Sequence, residues 1–291
     1  MNKLIKKLND FNELVMFKHS IFSLPFIFIA MVVSSGQING SAWFGLKLFV
    51  LGILAALTAR NFAMGFNRYM DRDIDALNPR TVNRPNVDGR ISASQMLVFT
   101  LGNAMGFIFV AYFVNDLAFK LSIPILLVIG SYSYFKRFSY LAHIILGISL
   151  ALAPIAGVVA VSESIPFWSI VVSIGVMFWV AGFDLLYSLQ EIDVDKKLGL
   201  HSIPSKFGAE KTMQISRVFH GLTVIFWLIF AISSGSSYFA YLAVLISALM
   251  LGYEHYLVNK DFRKIDKAFF TVNGYLGIIF LILIIIDNII K

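Results

Sequence analysis

The chain has 291 residues, of which 58% are hydrophobic and only 14% are charged, with a formal net charge of +7. Soluble globular domains carry about a quarter charged residues, so this composition excludes an ordinary soluble protein and indicates an integral membrane protein. Cysteine is absent from the sequence, which excludes disulfides and thiolate metal sites.

Nine apolar segments follow one another along the chain, and most are long enough to cross a bilayer. They are too long for strands and lack a two-residue alternation, so we expect helices rather than a barrel. The sequence therefore predicts an all-α membrane protein, one domain over residues 1–291, with nine transmembrane helices and capping loops on the cytoplasmic side. The predicted spans are residues 21–35, 42–66, 95–114, 117–135, 140–161, 167–189, 218–233, 238–257 and 268–290. The first and seventh are short, and both are expected to extend into flanking polar residues.

The basic residues are distributed very unevenly between the two ends of these spans. Twenty of the 24 lysines and arginines precede the first span or lie in the loops after the second, fourth, sixth and eighth. By the positive-inside rule, the N-terminus and these loops are cytoplasmic and the C-terminus is outside, in the inner (cytoplasmic) membrane of the cell. The positive charge then belongs to a membrane-facing rim, so we expect a lipid bilayer as partner and no nucleic acid. Lys18 and His19, just before the first span, are interfacial residues or line a cavity at this face.

A first acidic cluster follows the second span, in the stretch NRYMDRDIDALNPR over residues 67–80. Asn67, Asp71 and Asp75 are spaced four residues apart, so they share one face if the helix continues through them. Asp73 lies off that face.

A second cluster ends the sixth span, where Glu191 and Asp195 repeat the four-residue step and Asp184 and Tyr187 precede them. Asp193 again lies off the main face. Glu191 follows Asp71 by 120 residues, and Asp195 follows Asp75 by the same interval. The two helices run in the same direction, so the spacing indicates a weak internal repeat of two halves.

Like charges four residues apart destabilise a helix, so each cluster needs a compensating cation. Interleaved arginines or a divalent metal could supply it, and ligands that are all oxygen suit Mg²⁺ or Mn²⁺. Mg²⁺ commonly binds one or two carboxylates together with substrate phosphates. Two facing clusters would hold a diphosphate through bridging ions, of which we expect two. Solvated helix ends are the simpler reading, which the paired clusters disfavour because they contain 7 of the 17 acidic residues.

The two motifs together resemble the UbiA superfamily of membrane prenyltransferases. The first resembles its first signature and continues into RTVNRP at residues 80–85; the second resembles its second signature and continues into KKLGLHSIPSKFG at residues 196–208. A Lys-Arg pair after the fourth span extends the likeness. Within the superfamily the chain is similar to 4-hydroxybenzoate polyprenyltransferases. The segments FKHSIFSLPF and LQEIDVDKKLGLHSIPSKFG resemble the branch linked to menaquinone made through futalosine. Arg68 and Glu191 depart from the pattern, since many members have aspartate at these positions.

The resemblance implies a reaction and its substrates. A polyprenyl diphosphate, ionised with the help of Mg²⁺, would alkylate a ring carbon of an aromatic acid such as 4-hydroxybenzoate, in ubiquinone or menaquinone biosynthesis. The alternative acceptor is 1,4-dihydroxy-6-naphthoate.

The same resemblance suggests roles for individual residues. The expected metal or diphosphate ligands are Asn67, Asp71, Asp75, Asp184, Glu191 and Asp195. Arg72, Arg84 and Lys206 are candidate diphosphate contacts, or ordinary cytoplasmic-face cations. Lys136 and Arg137 would contact the acid's carboxylate or the diphosphate. Arg60 would order the site from the membrane side, and Tyr187 would shield the carbocation or bond a carboxylate. The loops 78–90 and 196–211 would form a cap.

Two other functional classes use acidic residues in membranes. In a cation or small-molecule transporter the carboxylates usually mark a path at membrane depth. Here they lie at helix ends on one side, and no span has a Gly- or Pro-broken centre carrying them. Phosphatidyl-alcohol transferases pack glycine and an Ala-Arg pair between their acidic residues, and neither motif does so. Prenyl transfer is therefore the preferred reading, with transport as the non-enzymatic alternative.

Overall fold

The computed structural model describes residues 2–16, 24–262 and 265–291, and within these ranges every regular element is a helix. Lys18 and His19 lie outside the described residues, so their sequence-based interpretation stays a prediction. The helices are α1 Asn2–Leu14, α2 Leu24–Asn39, α3 Leu46–Met70, α4 Arg72–Leu77, α5 Ala93–Val114, α6 Asp116–Phe135, α7 Ala142–Ser162, α8 Phe167–Ser188, α9 Ile192–Leu198, α10 Ile203–Ser233, α11 Tyr238–Lys260, α12 Ile265–Lys267 and α13 Asn273–Ile290. A 3₁₀ turn, Leu189–Glu191, joins α8 to α9, and a π-helical turn, Ala268–Val272, leads into α13.

The predicted all-α membrane class is confirmed. In the described part of the chain, eight helices are long and apolar enough to cross a membrane, counting the π-helical turn with α13. The first predicted span corresponds to α2, which is apolar but has only 16 residues. The predicted count of nine is thus approximate.

The seventh span extends into its polar flank, as expected, and by a long way. Its apolar part was predicted at residues 218–233, and α10 begins at Ile203. Its first half carries the charged residues Glu210, Lys211 and Arg217, so it lacks the apolar signal of a membrane span although the backbone is already helical. A break at Gly208, with φ +79°, separates the first turn from the rest of the helix.

The helix α8 occupies the centre of the bundle, packed between α7 and α10 with most of its length buried. An aromatic core surrounds it, in which Phe26 lies 5.1 Å from Trp179 and 5.4 Å from Trp227, between ring centroids. Such large buried rings contribute contact area on every side. The second acidic motif therefore extends from the most firmly held helix of the protein.

Close helix contact in the core depends on glycine. A side chain at Gly157 of α7 would place its Cβ 2.3 Å from the backbone oxygen of Ile27 in α2. Membrane helices use such small residues to bring backbones together. This contact locks α7, which lines the site described next, against α2.

The amphipathic helix α1 is joined to the loop before α5 by ion pairs. Arg90 donates to both carboxylate oxygens of Glu13 at 2.6 and 2.8 Å and lies 3.3 Å from Asp10. Lys7 donates to the backbone oxygen of Arg90 at 2.8 Å. These bonds hold α1 on the same end of the bundle as the first acidic motif.

Candidate active site

Both acidic motifs line a single cavity of about 220 Å³, at the end of the bundle where α3 continues into α4 and α8 continues into α9. The sequence separates them by 120 residues, and the fold brings them together around one space. The predicted site residues that line it are Asn67, Asp71, Asp75, Arg84, Lys136, Asp184, Tyr187, Glu191 and Asp195.

The first motif keeps one face although its helix is interrupted. The helix α3 ends at Met70, and Asp71 adopts φ −94° and ψ 10° before α4 begins. The backbone bonds nevertheless continue with a four-residue step, from the N–H of Asp71 to Asn67 at 2.8 Å and from that of Asp75 to Asp71 at 2.7 Å. Asn67, Asp71 and Asp75 therefore all face the cavity, as the spacing predicted.

Asp71 is the most deeply buried carboxylate of the site, with 2% of its surface exposed. Its Oδ2 accepts from the ammonium of Lys136 at 2.6 Å and from the side-chain amide of Asn67 at 2.7 Å. Its Oδ1 has no hydrogen-bond partner among the described residues, although Arg137 lies 3.7 Å away. Burial raises the pKa of Asp71, and Lys136 counteracts part of this effect.

Asp75 is held by the loop that follows α4. Arg84 donates to its Oδ1 at 2.8 Å, and Asn86 donates to its Oδ2 at 3.0 Å. Arg68 lies 4.0 Å from the same carboxylate with 6% of its surface exposed. Burial lowers the pKa of Arg84, and the nearby Arg68 lowers it further. The loop predicted to cap the site therefore contacts it directly.

The second motif is satisfied by partners of a different kind. Asp184 forms a 2.7 Å hydrogen bond with Nδ1 of His143, and Asp195 accepts from the hydroxyl of Ser202 at 2.6 Å. Neither partner was predicted from the sequence. Ser202 follows Asp195 by seven residues, but nothing in the sequence places His143 beside Asp184.

Arg80 connects the two halves of the site. Its guanidinium donates to Glu191 at 3.1 Å and to the hydroxyl of Tyr187 at 3.1 Å, and it lies 5.2 Å from the centre of that tyrosine ring. The residue was visible in the RTVNRP stretch but was not chosen as a site residue. It reaches from the loop after the first motif to the second motif, 111 positions later.

Three predicted cationic contacts do not line the cavity. Arg72 is exposed. Its guanidinium lies over the ring of Tyr69 and donates to the backbone oxygen of Tyr69. Lys206 lies over the ring of Tyr140, 4.2 Å from its centre. The prediction that these two contact diphosphate has no geometric support, because aromatic faces hold both cations elsewhere.

Arg137 is the third, and it holds the first motif from outside. It donates to both oxygens of Asp73 at 3.0 and 2.7 Å and to the backbone oxygen of Met70 at 2.7 Å. This bidentate bond lowers the pKa of Asp73 to about 2. Asp73 and Asp193 are both exposed and lie off the cavity wall. Arg137 therefore braces the turn at Asp71, and of the Lys-Arg pair only Lys136 lines the cavity.

Arg60 lines a neighbouring cavity of about 140 Å³ whose walls are mostly apolar. Its guanidinium donates to the backbone oxygens of Val15 and Met16 at 3.4 and 3.2 Å, at the end of α1. Tyr132 and Leu146 line both this cavity and the acidic one, so the two spaces meet at these residues. The prediction that Arg60 lies on the membrane side of the site agrees with this position.

The donor set of the cavity fits a hard divalent cation. Its carboxylates offer oxygen ligands, and the unpartnered Oδ1 of Asp71 is a buried atom with capacity for one more contact. In the described residues, no three acidic or histidine side chains converge closely enough to hold a metal by themselves. That spacing suits Mg²⁺, which completes its shell with water and substrate phosphates.

Known proteins resemble this chain in sequence. The sequence model of the UbiA prenyltransferase family matches residues 23–283. A 4-hydroxybenzoate octaprenyltransferase of Burkholderia orbicola (strain MC0-3) is 28% identical over 236 residues, which cover 79% of this chain and 80% of that protein. The enzyme of the same name from Herminiimonas arsenicoxydans is 28% identical over 258 residues, 87% of each chain.

Solved structures share the fold. The apo structure of a UbiA homologue from Aeropyrum pernix K1 superposes with a TM-score of 0.82 at 30% identity, covering 92% of this chain and 98% of that one. A UbiA homologue from Archaeoglobus fulgidus, bound to DMAPP and Mg²⁺, has a TM-score of 0.77 at 19% identity, over 97% and 100% of the two chains.

Proposed function

This chain belongs to the UbiA prenyltransferase family, and we propose that it transfers a polyprenyl group from a polyprenyl diphosphate to a ring carbon of an aromatic acid of the 4-hydroxybenzoate type. The observation that carries the proposal is the meeting of two acidic motifs in one cavity together with fixed cations. The names of the 28% identical relatives support the acceptor class.

The metal ligands in this proposal are the carboxylates that line the cavity: Asp71, Asp75, Asp184, Glu191 and Asp195. Bound Mg²⁺ would neutralise the diphosphate and stabilise negative charge on its departing oxygen. Asn67 orients Asp71 through its side-chain amide. Since Arg68 already donates to the amide oxygen of Asn67 at 3.1 Å, we assign Asn67 to positioning ahead of direct ligation.

Lys136, Arg84 and Arg80 would bind the diphosphate oxygens. Each of them is paired with a carboxylate of the site, with Asp71, Asp75 and Glu191 respectively. When those carboxylates turn to a metal, the three cations become available to an anionic ligand at the same place. The cavity thus exchanges one set of ion pairs for another, which limits the cost of burying charge.

The apolar cavity beyond Tyr132 and Leu146 would receive the first part of the isoprenoid tail, which needs a dry, apolar environment. Low water content also protects the allylic cation from hydrolysis. Arg60, with its buried Nε unpaired among the described residues, lies at this boundary and would attract the carboxylate of the acceptor. Tyr187 lines the acidic cavity, and its ring would stabilise a carbocation if Arg80, which lies over it at 5.2 Å, turned to the diphosphate.

We further propose that the chain is one domain built from two pseudo-repeats, with its active site and N-terminus on the cytoplasmic side of the inner membrane. The C-terminus would lie outside. The support is the asymmetric distribution of lysine and arginine between the two ends of the helices.

A transfer assay tests the function. Purified protein is incubated with Mg²⁺, labelled polyprenyl diphosphate, and either 4-hydroxybenzoate or 1,4-dihydroxy-6-naphthoate. We expect a prenylated product that requires Mg²⁺ and is lost in Asp71→Ala. A higher kcat/KM with the naphthoate would assign the enzyme to menaquinone made through futalosine. Absence of product with both acceptors would refute the enzymatic proposal, and uptake of a labelled cation by proteoliposomes would then favour a transporter.

A further inference from the structure

A buried polar chain joins α8, α13 and α11, and none of its three residues lines the acidic cavity. The indole N–H of Trp179 donates to Oδ1 of Asn273 at 2.7 Å, and the amide of Asn273 donates to Oε1 of Glu254 at 2.8 Å. All three side chains are at most 1% exposed. They connect α8, α13 and α11 within the membrane part of the bundle.

Placing a carboxyl group here is costly, because polar groups in a membrane interior must be satisfied by protein partners. Only one oxygen of Glu254 is bonded, and its Oε2 has no hydrogen-bond partner among the described residues. A glutamate that only filled space would be better replaced by leucine or methionine. Its presence therefore indicates that the bond to Asn273 serves something other than packing.

Asn273 lies directly after the π-helical turn Ala268–Val272. Such turns leave the regular hydrogen-bond pattern and are frequent at functional positions. The bonds from Trp179 and Glu254 fix the first residue of α13, and they thereby fix where the irregular turn ends. Phe269 belongs to this π-helical turn, so its position depends on where the turn ends.

Phe269 links the π-helical turn to the acidic cavity through ring contacts. Its ring centre lies 5.1 Å from that of Phe183 and 4.4 Å from that of Tyr187. Trp179, Phe183 and Tyr187 follow one another at four-residue steps on one stripe of α8, against Phe269 and Asn273 of the facing segment. Tyr187 lines the cavity and accepts from Arg80. An unbroken series of contacts thus runs from Glu254 to the arginine that bridges the two acidic motifs.

We propose that Glu254 is a positioning residue for prenyl transfer: through Asn273 and the π-helical turn it sets Tyr187, and with it Arg80, in the geometry that binds the diphosphate donor. This inference rests on the proposed function. It predicts that loss of the Glu254–Asn273 bond weakens donor binding, although Glu254 touches neither substrate nor metal.

The test compares Glu254→Ala with a matched variant on the same two helices. Asp287 of α13 is also 1% exposed, and it accepts three backbone N–H bonds at the start of α11, at 2.8, 3.0 and 3.2 Å. Asp287→Ala therefore loosens the contact of α11 with α13 at the opposite end from the cavity. Both variants should lower Tm, whereas only the first should disturb donor binding.

The measurements are Tm, the Kd of a non-hydrolysable prenyl thiolodiphosphate with Mg²⁺, and kcat and KM for the donor, all on full-length protein in nanodiscs. We expect Glu254→Ala to raise Kd and KM by about fivefold or more, the range of coupling through packed side chains. Glu254→Gln keeps the accepting oxygen and should restore both values. Asp287→Ala should leave them within about twofold of wild type, since the bonds of its carboxylate go to the start of α11, at the end of the bundle far from Tyr187.

The inference is overturned if Glu254→Ala and Asp287→Ala weaken analogue binding equally at equal loss of Tm, or if glutamine fails to rescue. Should Glu254→Ala not fold, Glu254→Met keeps most of the side-chain volume and removes the oxygen that accepts from Asn273, and the same outcomes apply to it. If the wild type binds the analogue but prenylates no acceptor, the proposed reaction is refuted. The role of Glu254 in donor binding is then tested by the Kd of the analogue alone, compared between Glu254→Ala and Asp287→Ala.

Discussion

Replacing Lys136 by methionine removes the only lysine that lines the acidic cavity in the described part of the chain, while keeping most of the side-chain volume. Its ammonium donates to Asp71 at 2.6 Å, and the carboxylate it serves is 2% exposed. A hydrogen bond to a charged group contributes about 1.5–3 kcal/mol, so kcat/KM should fall about ten- to hundredfold.

The pH dependence of activity in the same variant provides a second, independent test, because the direction in which the acid limb moves can be predicted. Asp71 must be ionised to bind a metal, and burial already raises its pKa while Lys136 opposes the rise. Without Lys136 the pKa rises further, so the acid limb of the activity profile moves to higher pH. The effect on folding has the opposite sign: a carboxyl with a raised pKa favours the folded state at low pH, and this contribution is lost as pH rises through the folded pKa.

The assay is transfer of labelled prenyl groups between pH 5 and 9, roughly the interval in which most proteins are stable. Lys120→Met is the control, because that exposed lysine belongs to α6, the helix that ends directly before Lys136, and lies sixteen residues earlier. It should retain wild-type kcat/KM and an unmoved acid limb. The reasoning is refuted if Lys136→Met keeps activity within about threefold of wild type and its acid limb does not move.

Four further outcomes are expected. Arg80→Ala should leave Tm nearly unchanged, since its pair with Glu191 is about one-third exposed and surface pairs contribute about 0–1 kcal/mol, but it should raise the KM for the donor. Lys206→Met should not alter the KM for the donor, and a large rise would restore the prediction that the structure disfavours. Gly157→Val should lower the free energy of unfolding by about 1–3 kcal/mol, measured by chemical denaturation, because the added side chain meets a backbone oxygen. The apparent affinity for Mg²⁺ should increase as pH rises through the pKa of Asp71, followed by isothermal titration.

The sequence predicted the fold class and the acidic residues that line the cavity because the relevant signals are local. Apolar length identifies a membrane helix, and the four-residue steps at Asn67–Asp75 and Glu191–Asp195 identify a shared face. These patterns do not depend on what the rest of the chain does. The start of α10 could not be located for the complementary reason, since a helix that leaves the apolar region loses its hydropathy signal but keeps its backbone bonds.

The partners of the carboxylates could not be predicted, because they depend on which distant segments meet. His143 and Asp184 are 41 positions apart, and Arg80 and Glu191 are 111 apart. The same limit explains why Arg72 and Lys206, which were predicted to contact the diphosphate, do not line the cavity. Both are basic and close to a motif in sequence, yet each turns to an aromatic face outside the cavity. Charge near a motif predicts the end of the bundle at which an arginine lies, but it does not predict which arginine enters the cavity.

The claim that both acidic motifs form one metal-dependent diphosphate site is tested most directly by equilibrium binding of labelled prenyl diphosphate to the purified protein, with and without Mg²⁺. We expect tight binding only with Mg²⁺, and its loss in Asp71→Ala and equally in Asp195→Ala, although 124 positions separate the two residues. Binding that is independent of Mg²⁺, or that survives removal of either motif, would contradict the claim.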